Sequence, residues 1–134
     1  MTLQYVLDTN ICIYIAKKKP LSVLRIFEQL EIGQVGMSMI TYGELLYGAQ
    51  KSEYSKKSLS ALHELTHLIP SIAIPINAAK YYGEIRCQLA KKGTIIGGND
   101  LWIAAHALAS ELTLITNNVK EFSRIHSLKV ENWV

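Results

Sequence analysis

A chain of 134 residues, 49% of them apolar and 19% charged, has the composition of one globular domain and the length to bury a sizeable core. Its net charge of +3 permits a polyanionic partner without arguing for one, because domains held to nucleic acid by charge alone are usually more basic. Cys12 and Cys87 stand outside any CxxC or Cys/His cluster, which excludes a disulfide framework and reads as two buried free thiols. No apolar run approaches the roughly 20 residues that span a bilayer, and the start shows no basic leader or small-residue cleavage site. The expectation is a soluble cytoplasmic protein.

In chain order, "QYVLD" (4–8) predicts a buried strand ending in a carboxylate, and residues 10–18 a helix. Pro20 suits the opening turn of a second helix, "PLSVLRIFEQL". "VGMSMI" (35–40) reads as a strand, "TYGELLYGAQ" (41–50) as a helix, and "KSLSALHELTHLI" (57–69) as another. "SIAIPI" (71–76) is short and extended. A helix over 77–93 stops at Gly93, the residue type that favours a helix C-terminus. "IIGGNDLWIAAHALA" (95–109) opens a further apolar helix, with Asn99 as its expected N-cap. "LTLIT" (112–116) is a strand, "VKEFSRI" a short helix or turn, and "LKVENWV" the chain end. Strands separated by helices imply a mainly parallel sheet covered on both faces, in a single domain over residues 1–134.

Ligands of such sheets gather at the carboxyl ends of the strands. Asp8 ends the first strand, Glu44 is expected in the first turn of the helix after the second, and Thr116–Glu121 follow the fourth. Asp100, the only other aspartate in the chain, heads the apolar helix. Each acid also has a local reading: Glu44 as the partner of a Thr41 cap in "TYGE", Asp100 as a helix N-terminal acid, Asp8 as a turn former in "DTN". If the ends converge, like charges need a cation or proton between them. Oxygen ligands alone favour Mg²⁺ or Mn²⁺ over zinc.

"YVLDTNICIYIAKKKP", "SMITYGELLYGAQKS", "IIGGNDLWIAAHALA" and "LITNNVKEFSRI", followed by "SLKVENW", together resemble the successive motifs of VapC-type toxins, PIN-domain endoribonucleases of toxin–antitoxin pairs. The resemblance covers nearly the whole chain in order. It implies a three-layer α/β/α PIN domain and Mg²⁺- or Mn²⁺-dependent cleavage of RNA, tRNA being a frequent target. It also implies a VapB-like antitoxin, a homodimer, and a hetero-oligomer of toxin with antitoxin. Residue by residue, Asp8, Glu44 and Asp100 match the metal-binding acids. Where many PIN domains carry a further aspartate, "TNNVKEF" offers Asn118, with Glu121 three residues later as the alternative fourth catalytic acid. Asn10 and Thr116 are expected to orient the acids or a bound water.

Two other readings compete. "HELTH" (63–67) matches the H-E-x-x-H signature of zinc peptidases. At about 100° per residue, His63, Glu64 and His67 fall opposite the apolar side, which equally describes a solvated face. A non-catalytic RNA-binding regulatory module of the same fold is the other, although intact carboxylates oppose it. Arg86, Lys91 and Lys92 border the loop before Asp100 and are candidate RNA-phosphate contacts. His106 is expected to pack within its helix, His126 to lie on a surface turn, and an antitoxin helix to dock between "PLSVLRIFEQL" and "YGELLYGA".

Overall fold

Strands that are apolar at consecutive positions must be covered on both sides, and that requirement organises the chain. The computed structural model describes residues 2–134. In order, the elements are β1 (Tyr5–Leu7), α1 (Thr9–Lys17), α2 (Leu21–Glu28), β2 (Val35–Ser38), α3 (Met39–Gln50), α4 (Ser55–Leu68) and β3 (Ser71–Ile72). There follow α5 (Ala78–Lys91), α6 (Gly98–Ala109), β4 (Thr113–Ile115), α7 (Val119–Phe122) and β5 (Val130–Glu131). All strand pairs are parallel, in the order β3-β2-β1-β4-β5.

Alternation along β1 and β4 divides the core. Val6 and Leu114 face a cluster built mainly from α5, α6 and α7, with Ile85, Leu89, Ile103 and Phe122. Leu7 and Ile115 face the other, where Ile11, Val23, Met37 and Leu65 come from α1, α2, β2 and α4. The result is the expected α/β/α layering. From β1 the chain winds outward through β2 to β3, then returns to β1's other side for β4 and β5. Winding reverses between β1 and β4, and a crevice opens beyond the carboxyl ends of strands at such a reversal.

Several boundaries depart from expectation. β2 stops at Ser38 and not at Ile40, because the Ser38 hydroxyl accepts the Ile40 N–H at 3.2 Å and starts α3 there. Thr41 is therefore a buried residue inside α3 and not its cap, and Glu44 lies in the second turn. Asn99 does not cap α6 either; Gly97 holds that position with no side-chain bond, and Asn99 is already inside the helix. Pro20 is the N-cap of α2, one residue ahead of the helix. The last segment adds a strand, β5, since Leu114 and Ile115 pair with Val130 and Glu131. Cys12 is buried, but Cys87 sits on the exposed side of α5.

Close approach of β2 and β3 depends on Gly36. A Cβ there would press into the Ile72 side chain and stand 3.1 Å from the Pro70 carbonyl oxygen, which is backbone and cannot easily yield. Gly36→Ala is expected to destabilise the protein by about 1–3 kcal/mol. Urea unfolding checks this, and an unchanged midpoint would contradict the close-packing account.

Candidate functional site

Asp8 follows β1 directly and is 6% exposed. It caps α1: Oδ1 accepts the Ile11 N–H at 3.0 Å, while Oδ2 accepts the Thr116 hydroxyl from the end of β4. Thr116, itself fully buried, in turn accepts the Asn118 N–H at 2.9 Å. A chain of bonds thus fixes Asp8 across the point where winding reverses. Burial raises the Asp8 pKa above its ordinary value, and nearby Glu44 adds to the rise. Hydrogen bonds from Thr116 and the Ile11 and Asn10 N–H groups oppose it. Asn10 helps through its backbone; its side chain is exposed.

Glu44 is half-buried on α3, and its Oε1 accepts the Thr9 hydroxyl at 2.6 Å. Thr9 sits beside Asp8 in sequence, so α1 carries one residue that supports Glu44 immediately after the residue that caps it. Asp100 lies in the first turn of α6. Its pKa is pushed up to about 6, first by burial and then by the charges of Glu121, Glu44 and Asp8, with a hydrogen bond to Glu121 acting the same way. Glu121, on α7, accepts from the Asn118 amide at 2.8 Å. No basic group contributes to the shift of either aspartate.

Four acids from four segments therefore feel one another at the carboxyl end of the sheet. Among the described residues, no three His, Cys, Asp or Glu side chains already close into a ligand cage. Carboxylate oxygens and accumulated negative charge are the chemistry a hard divalent cation satisfies.

Elsewhere the histidine motif separates from this site. His63, Glu64 and His67 are exposed on α4, His67 Nδ1 stands 3.0 Å from the His63 carbonyl oxygen, and the two rings meet edge to face. That is a solvated helix face, and it removes the zinc-peptidase reading. Arg86 donates to the Tyr82 hydroxyl, whose ring stacks on Trp102 at 3.9 Å. Lys91 and Lys92 are exposed where α5 ends, ahead of α6. An apolar groove of about 580 Å³ lies between α1, α3 and α4, lined by Ile13, Leu45, Ala61 and Leu62. Sequence reasoning missed Thr9 as the partner of Glu44, Ser38 as the cap of α3, and the bond that takes His106 out of its own helix to Ser38. For Thr9 the signal was its place in "DTN"; for the other two no local signal exists.

The family model described as "PIN domain" matches residues 5–128. Ribonuclease VapC2 of Haemophilus influenzae is 42% identical over 132 residues, covering 98% of this chain and 99% of the relative. The tRNA(fMet)-specific endonuclease VapC of Shigella flexneri is 39% identical, with 98% of each chain covered. Among solved structures, VapBC2 from Rickettsia felis bound to a DNA fragment from its promoter superposes with a TM-score of 0.90 at 41% identity, covering 98% of this chain and 100% of that one.

Crowded acids make stability depend on pH. A folded carboxyl whose pKa is raised from 3.8 to about 6 holds its proton more tightly than the unfolded chain does. It favours folding fully below the unfolded value, and that contribution is lost as pH rises through about 6. Chelator-treated protein is expected to lose stability between about pH 4 and 6.5, and Asp100→Asn to remove most of that loss. Thermal unfolding across pH reads this directly. A variant no more stable than wild type at pH 7, or equally displaced below pH 4, would contradict the assigned crowding.

Proposed function

Because the chain belongs to the PIN-domain family, we propose that it is a metal-dependent endoribonuclease toxin of the VapC type, cleaving RNA, with tRNA as the substrate class. The observation that carries this reading is the group of four interacting acids at the winding reversal, where burial and the neighbouring acids push Asp100 up to about 6.

In this reading Asp8, Glu44 and Asp100 hold Mg²⁺ or Mn²⁺, and Glu121 completes the acidic set. A divalent cation held there supplies positive charge against the charge that grows on the phosphate as the P–O bond breaks, and orients water for the attack. The chain's own part is to hold carboxylates rigidly. Asp8 is fixed by a helix N-terminus on one oxygen and Thr116 on the other. Glu44 is held by Thr9, and Glu121 by Asn118. The Asn118 NH₂ group donates to Glu121, and in this reading Asn118 holds Glu121 as the fourth acid. Asn10 and Thr116 serve Asp8, the former through its N–H.

Arg86, Lys91 and Lys92 are assigned to RNA phosphates near the start of α6, where single neutralising substitutions should weaken binding and flatten its salt dependence. The apolar groove between α1, α3 and α4 suits a helix of a VapB-like antitoxin, and the active form is a homodimer that assembles with it. No helix among the described residues is long and apolar enough to cross a membrane, and the cytoplasm, where RNA substrate lies, is the assigned location.

Asp8→Asn, Glu44→Gln and Asp100→Asn are each expected to cut RNA cleavage by at least about 10²-fold while the protein still folds. Mapping RNA ends after brief expression of wild type beside Asp8→Asn tests it. Identical end profiles would sink the nuclease reading.

A further inference from the structure

The catalytic reading makes no use of His106, an imidazole enclosed at 0% exposure on α6. Its Nδ1 stands 2.9 Å from Ser38 Oγ, a partner 68 residues away. Nε2 is buried with no hydrogen-bond partner among the described residues. Ser38, also fully enclosed, ends β2 and caps α3 by accepting the Ile40 N–H.

A count of protons orders the pair. Ser38 Oγ already accepts from Ile40, so its own O–H is free to donate to Nδ1, which places the neutral ring's proton on Nε2. The opposite tautomer would strand the Ser38 proton and the Nε2 lone pair together. Burial also lowers the His106 pKa, in keeping with a neutral ring. An aliphatic side chain at 106 would fill the same space with no polar group to satisfy. Stability alone is therefore a poor reason for this pair.

Placement supplies a better one. The bond runs between α6, which carries Asp100, and the cap of α3, which carries Glu44. The two helices pack against each other. Ser38 and Asp8 each close adjacent parallel strands, two residues beyond the Gly36–Val6 pair. We propose that the Ser38–His106 hydrogen bond is a pin that sets α3 against α6 and so fixes Glu44 and Asp100 relative to one another for a divalent cation. The pin rests on the metal-dependent reading above. His106 and Ser38 touch neither RNA nor cation; they are positioning residues, acting through the two helices.

Mn²⁺ titrations of the purified full-length protein, followed by electron paramagnetic resonance, test the pin independently of turnover, and cleavage of a bulk tRNA preparation adds kcat and KM. Ser38→Ala and His106→Leu are expected to bind Mn²⁺ about 10-fold more weakly. They should lower kcat with KM changed less than about two-fold. Ser38→Thr, which keeps the hydroxyl, should restore both. If Ser38→Ala does not fold, His106→Leu carries the test, since it leaves the α3 cap intact. Wild-type Mn²⁺ affinity and kcat in His106→Leu would overturn the pin, and so would equal damage in Ser38→Thr and Ser38→Ala, which would mark a packing role only. Asp8→Asn separates the two failures. If it loses Mn²⁺ while His106→Leu matches wild type, only the pin falls. If wild type itself binds no Mn²⁺, the metal-dependent reading falls and takes the pin with it.

Discussion

The hydrogen bond from the Thr116 hydroxyl to Asp8 joins the carboxyl ends of β1 and β4, the strands between which the chain reverses its winding. A carboxylate buried there is costly unless its oxygens are met. One is met by the N-terminus of α1 and the other by Thr116, which is itself fixed by the Asn118 N–H. The same few residues therefore start α1, tie it to β4 and lead the chain into α7. Asn117 reinforces the tie by donating to the Tyr14 hydroxyl of α1 at 2.9 Å. Removing Thr116 would loosen more than one carboxylate, since Asn118 also holds Glu121.

Much of this was legible because strands and acids follow strong local rules. Asp8 and Asp100 are the only aspartates, and each borders an apolar segment that had to be buried. Such a position asks for a reason beyond solubility. The parallel, doubly covered sheet follows from apolar runs separated by helices. Helix caps were less legible, since residue type alone cannot rank neighbouring candidates. Thr41 and Asn99 are both good caps by chemistry, yet Ser38 and Gly97 hold those positions. Ser38 contacts a histidine 68 residues away, and no window of local sequence contains both. β5 spans only two residues and exists because β4 offers it an edge, which is a tertiary fact. The exposure of Cys87 likewise depends on which side of α5 packs against α6.

Histidines illustrate how position outweighs motif. His63 and His67 match a metal-site signature at helical spacing but face solvent and engage each other and their own backbone. His106 belongs to no motif, yet it is fully enclosed and bonded to a distant element. A metal site needs donors that converge from several elements under steric control. The carboxyl end of the sheet gathers carboxylates from the end of β1 and from α3, α6 and α7. One exposed face of α4 does not.

The crowding of acids also places stability and chemistry in opposition. Every carboxylate added to the cluster raises the cost of ionising its neighbours, and Asp100 bears that cost most visibly. Converting Asp100 to an amide removes repulsion, so Asp100→Asn should be at least as stable at neutral pH as the wild type without metal. Loss of activity accompanied by a gain in stability cannot be attributed to misfolding. It is the pattern expected where a destabilised arrangement is kept for what it binds. An Asp100 kept only for structure would instead lose stability on conversion to an amide, because its charge would have been met by partners that the amide could not satisfy.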